Sequence, residues 1–227
     1  MKKMIFALSL ILGSQAFAAD QFNFHNLGFS PAGYTFAFAQ SAVQDGSGFP
    51  VAQVHIVNVA KNTIVATEKV MIQDESSYDA QDALNLAIKN SKSKFKKFAI
   101  TPNTNRGQII AFEQLSEQNG VFLVNGKKFE LNLAEKDAGN TNPDDYWCND
   151  YGSKMMKLTL SQLDKGQEKT IVLQEDQKQP KSRYCSFNYT IANAIRLGKS
   201  LVVVLSYQTP GFEGPNSEYM VVTGNLP

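Results

Sequence analysis

Short runs of alternating apolar and polar residues dominate this chain. Tyr34-Thr-Phe-Ala-Phe-Ala39 puts Tyr34, Phe36 and Phe38 on one face of an extended segment. Residues 53–59 are β-branched and half-buried in character, and residues 63–72 read as a third strand after Lys61-Asn62. Between the first two lies the turn-rich connection Gln44-Asp-Gly-Ser-Gly-Phe-Pro50. Further strands are expected at 108–113, 121–124, 128–133, 155–160, 170–174, 200–207 and 218–223. Strands at this spacing, with Gly, Pro and Asn at the joints, predict a mainly β fold of antiparallel sheets, either propeller-like or a sandwich.

One segment breaks the alternation. Ala80, Ala83, Leu84, Ala87 and Ile88 form a single helical stripe, so one amphipathic helix is expected near residues 77–95. Ser76 with Asp79 three residues on resembles a capping box. Asp79 and Asp82 stand early, and Lys89, Lys92 and Lys94 late, as the helix dipole favours. The Ala/Leu stripe should pack on a sheet, with the lysines on a solvated face.

The N-terminus places the protein outside the cytoplasm. Lys2 and Lys3 form a positive region, residues 5–12 an apolar run too short to span a bilayer, and Ala16-Phe17-Ala18 a small-x-small cleavage pattern. We read residues 1–18 as a secretory signal peptide and residues 19–227 as one secreted β-rich domain, periplasmic or released, in a bacterium. No cysteine follows the apolar run to carry a lipid, and no second long apolar run predicts a membrane span.

Compartment then decides the cysteines. Cys148 and Cys185 are the only two, and in an oxidising space an even pair reads as a disulfide. It would close a loop of about 38 residues, worth about 3–4 kcal/mol in the chain-entropy model. Redox or metal chemistry would call for closer spacing, such as C-x-x-C. Without Lys2 and Lys3 the balance is 20 basic against 21 acidic residues. No basic face suited to nucleic acid is legible.

Candidate chemistry is sparse. The two histidines, His25 and His55, lack H-x-x-x-H or H-E-x-x-H spacing, and no G-x-S-x-G marks a nucleophile. The loop at 137–150 offers Asn140, Asn142 and Asp144 at alternate positions, as calcium ligands would stand. Asp145 replaces the turn glycine of an EF-hand, however, and Tyr151 its bidentate glutamate, so a solvated loop is the plainer reading. Gly46-Ser47-Gly48 lacks the P-loop lysine and reads as a tight interstrand connection. Asn188-Tyr189-Thr190 matches a glycosylation sequon, to which a bacterial chain gives no weight. Tyr146, Trp147 and Tyr151 surround Cys148, where they could stack on a ligand or shield the bridge. No catalytic residue, cofactor or metal site is assigned.

Several blocks together resemble a known family. They are residues 28–38 (GFSPAGYTFAF), 43–50 (VQDGSGFP), 180–185 (PKSRYC), 210–215 (PGFEGP) and 219–224 (YMVVTG). In combination they resemble the bacterial predicted secreted proteins, domain of unknown function 2259, over nearly the whole exported chain. The family implies no catalytic residue. The first block is also similar to the turn and strand that open blades of TolB-like propellers, with 211–223 as a diverged second copy. Two functional classes follow: a non-enzymatic binding or protein-interaction module with an envelope partner, or a secreted hydrolase. For the hydrolase, Asp45, His55 and Asp74 are the first residues to test.

Overall fold

The computed structural model describes residues 19–73, 79–102, 104, 106–139, 148, 151–164, 167–183 and 185–227. Among the described residues, thirteen strands form three antiparallel sheets. The first sheet is a meander of β1 (Asn23–Phe29), β2 (Thr35–Val43), β3 (Pro50–Asn58) and β4 (Thr63–Met71). Helices α1 (Ala80–Asn90) and α2 (Lys92–Lys97) follow. Then come β5 (Gln108–Ile109), β6 (Phe112–Leu115), β7 (Asn119–Val124), β8 (Lys127–Asp137), β9 (Lys154–Asp164) and β10 (Gln167–Glu175). β11 (Phe187–Leu197), β12 (Ser200–Thr209) and β13 (Asn216–Asn225) end the chain. The second sheet runs β10-β9-β8-β7-β6 and the third β13-β12-β11-β5.

Alternation explains how these sheets stack. On β2, Phe36 and Phe38 face one way and Ala37 and Ala39 the other. The phenylalanines, with Val57 and Val59, pack on Ile195, Val202 and Val204 of the third sheet. The alanines, with Ala52, Val54 and Ile56, receive Ala83, Leu84 and Ala87 of α1. Small residues on both surfaces let the helix lie close to the sheet. On the far side, Leu201, Val203 and Leu205 of β12 meet Leu131, Leu133, Leu158 and Leu160 of the second sheet. β12 is therefore covered on both faces, and Leu201–Leu205 are at most 1 % exposed. That is why its sequence is a continuous apolar run rather than an alternation. Each such side chain contributes about 1.5–3 kcal/mol by leaving water. Of the two expected arrangements, the sandwich-like one fits.

The helical expectation holds with one change. Asp79 is the N-cap, its carboxylate accepting the Gln81 N–H at 2.8 Å; Ser76 lies outside the described residues. The helix breaks at Ser91, whose N–H bonds back to Ala87 and Ile88 carbonyls, and restarts as α2 to bury Phe95. Lys94 reaches back to pair with Glu68 on β4. Local turns follow their residues. Asn125 and Gly126 both take positive φ (52° and 75°) in the tight β7–β8 hairpin. Gln44 and Phe49 close the Gly46-Ser47-Gly48 connection through a 3.0 Å backbone bond. In the β1–β2 turn, a Cβ on Gly33 (φ +74°) would sit 2.7 Å from Ser200 Oγ, so only glycine fits.

The connection from β10 to β11 carries a covalent and an ionic tie. Cys148 and Cys185 are bridged, with Cα atoms 5.0 Å apart, inside the usual span. Two residues before Cys185, a 3-10 turn (Lys181–Arg183) buries Arg183. Tyr151 stacks on Phe187 beside the bridge at 5.0 Å. Tyr146 and Trp147, and the calcium-ligand candidates Asn140, Asn142 and Asp144, lie outside the described residues. Residues 1–18, read above as a signal peptide, do also. Among the described residues no helix is long and apolar enough to cross a membrane, and no group of His, Cys, Asp or Glu could hold a metal ion.

Candidate functional site

The first sheet carries two polar rungs on the face it turns toward the third. Phe38, His55 and Thr67 are direct cross-strand neighbours, as are Gln40, Gln53 and Lys69. They lie at the end of the sheet where the phenylalanine–valine packing stops. Here the sheet borders β13, the outer strand of the third sheet, together with Gln174 of β10 and the 3-10 turn. A cavity of about 450 Å³ lies between these elements. All three sheets contribute to its wall, so its shape depends on the tertiary fold rather than on one loop.

Each polar group in this cleft has an identifiable setting. The His55 ring lies tilted against Phe38 with centroids 5.0 Å apart, and its Nδ1 lies 3.1 Å from Thr67 Oγ1. Burial, helped by the Lys69 ammonium, pushes His55 down to about 4, so it is neutral at ordinary pH. Glu218 receives hydrogen bonds from the Tyr207 hydroxyl at 3.1 Å and from the Thr209 hydroxyl at 3.5 Å. Burial raises its carboxyl above the ordinary 4.5. The Tyr207 and Thr209 bonds and Lys69 act against that rise, and Asp20 adds to it. Burial likewise pushes the Tyr207 phenol up, and Glu218 adds to that. Arg183 donates to Asp176 at 2.8 Å and to the Tyr189 hydroxyl at 2.6 Å, forming a buried network beneath the cleft. Asp176 also accepts the Met156 N–H at 3.1 Å.

The outer edge of β13 is shielded by side-chain amides. Gln40 Oε1 accepts the Tyr219 N–H at 2.9 Å, and Asn62 Oδ1 accepts the Thr223 N–H at 2.8 Å. Asn62 is held in turn by donating to Gln174 at 2.8 Å. These amides stand where the carbonyls of a neighbouring strand would be.

Of the residues first chosen for a hydrolase, the structure brings only His55 to the cleft. Asp45 sits in the exposed β2–β3 turn, its N–H donating to the Asp20 carboxylate at 2.7 Å. Asp74 lies outside the described residues. His25 Nε2 meets Ser41 Oγ at 2.9 Å. Among the described residues neither histidine is hydrogen-bonded to a carboxylate. Sequence reasoning missed Glu218, Tyr207, Arg183 and Asp176 as site residues. A polar residue ending an otherwise apolar strand was the only available signal, and it gains meaning once register is known.

The two buried titrating groups oppose each other in acid. The unfolded chain protonates His55 below 6.5 and the folded chain only near 4, so this residue makes stability rise with pH between those values. Folded Glu218 keeps its proton above the ordinary 4.5, so it makes stability fall as pH rises from there toward its raised value. Relative to the parent, the stability of H55N should therefore rise less steeply with pH through this range, and that of E218Q more steeply. Denaturant titrations at pH 4, 5, 6 and 7 decide the matter. Parallel profiles for all three proteins would refute both assignments.

Comparison with known proteins bears on this chain as a whole. A family model described as predicted secreted protein (DUF2259) matches residues 37–225, and the chain belongs to that family. No curated protein matches it significantly. The matched span includes every strand from β3 to β13.

Proposed function

We propose that this member of a secreted family is a non-enzymatic binding module of the bacterial periplasm, residues 19–227 acting as one domain once a signal peptide is removed. Its ligand or envelope partner sits in the cleft between the first sheet and β13. The observation that carries this reading is the convergence of Gln40, Gln53, His55, Arg183 and Glu218, from separate elements, on one cavity of about 450 Å³. Such a volume suits a small organic ligand or a few residues of a polymer. Amides, a neutral imidazole and hydroxyl-bonded carboxyl offer directional hydrogen bonds, and Phe38 and Tyr219 offer apolar surface. A hydrolase would want its base oriented by a carboxylate; Thr67 has that place beside His55, which favours binding.

The test is a thermal-shift panel on the exported protein, with blocked peptides, muropeptide sugars, lipids, Ca²⁺ and Zn²⁺. A ligand of the native state raises the melting temperature. At least one organic member should do so, should be recovered chemically unchanged, and should lose its effect in Q53A. Conversion of that compound to product would overturn the reading.

A further inference from the structure

We propose that the cleft takes an extended peptide, bound by completing the open rung of β13 at Val221. The inference rests on the binding-module reading and names the ligand class of the same site. In the β12–β13 pairing, Ser217, Tyr219, Val221 and Thr223 stand opposite Gln208, Ser206, Val204 and Val202. The Ser217, Tyr219 and Thr223 N–H groups donate outward, to the Asp20 carbonyl and to the Gln40 and Asn62 amides. Along an antiparallel strand alternate residues point their N–H and C=O the same way. The Val221 N–H and C=O therefore point outward too, and among the described residues the N–H has no partner.

Val221 stands where the cavity is. Side chains from both faces of β13 line it, Glu218 and Met220 from one and Tyr219 and Val221 from the other, so the cavity follows the strand's edge. Between the Tyr219 and Thr223 rungs lie about 14 Å of strand, at about 3.4 Å per residue. That is room for one residue of a ligand to exchange both hydrogen bonds with Val221, its neighbours lying over Gln40 and Asn62. Recognition by strand addition draws its affinity from main-chain bonds and its selectivity from alternate side chains. Here those side chains would meet the His55–Phe38 rung on one side and Glu218 on the other. A saccharide offers hydroxyls but not the paired N–H and C=O at strand spacing that this edge presents.

The experiment follows the Val221 amide by NMR during titration of isotope-labelled protein. The probe is an equimolar library of tripeptides blocked at both ends, alongside the same library methylated on every backbone nitrogen. The blocked library should shift the Val221 amide resonance and slow its hydrogen exchange at least tenfold, and the methylated library should bind at least tenfold more weakly. The V221P variant should keep its fold, because the lost N–H makes no bond to β12, and should bind the blocked library at least tenfold more weakly. Equal binding of the two libraries, or no response at Val221, overturns the proposal whether or not V221P folds. Binding of a muropeptide sugar in the cleft without peptide binding would overturn it too, while leaving the binding-module reading standing.

Discussion

Replacing Arg183 with methionine should cost about 3–5 kcal/mol of unfolding free energy, the range for breaking a buried ion pair from one side. The side chains of Arg183 and Asp176 are only 8 % and 5 % exposed. Asp176 would keep two neutral donors, the Met156 N–H and Gln174 Nε2, but no compensating charge. Tyr189, over whose ring the guanidinium lies at 5.4 Å, would lose a donor to its hydroxyl. The double variant R183M/D176N removes both charges and should recover more than half of that loss, because pairs exchanged together for neutral groups are often nearly neutral in effect. Denaturant unfolding of the parent, both single variants and the double variant gives the coupling directly. A cost below about 1 kcal/mol for R183M would place the pair with weakly contributing surface bridges and end the argument.

Loss of the Cys148–Cys185 bridge should cost about 2–4 kcal/mol, measured on the double alanine variant. The cysteines are 37 residues apart in sequence and both are buried, so reduction both frees a long loop and unpins the 3-10 turn that delivers Arg183. The exported protein, denatured without reductant, should present no free thiol to labelling. Two labelled thiols per chain would show that the bridge does not form. Because the bridge and the Arg183 network share one short segment, the two losses should not add. The cost of R183M should be smaller in the double alanine background, where the turn is already loosened.

Strands whose pattern matched one simple environment were readable in advance. β2, β3 and β12 announced themselves by alternation or by an unbroken apolar run, and α1 by its Ala/Leu stripe. β11 and β1 did not. In β11 the register shifts between Ile191 and Asn193, so that Ile191 and Ala194, three positions apart, face the same core. A bulge of this kind erases the period of two on which strand recognition depends. β1 has the same fault between Asn26 and Gly28. The cleft was less legible still. His55 was visible as a polar residue in an apolar strand, but its neighbours Glu218 and Arg183 are more than 120 positions away in sequence, and only pairing and stacking bring them together. The disulfide was legible because compartment and cysteine count decided it without any geometry.

The layer covered on both faces is also the last to be made. A protein that crosses a membrane N-terminus first delivers the first sheet, then the second, and only at the end β11, β12 and β13, which must enter between them. Until then Phe36, Phe38 and Val57 on one side, and Leu131, Leu158 and Leu160 on the other, have no mutual partner, since each set is built to meet β11–β13 rather than the other. Export N-terminus first would thus leave two apolar faces waiting exposed, a state prone to aggregation. A chain cut short near its C-terminus would lose the filling that both outer sheets share.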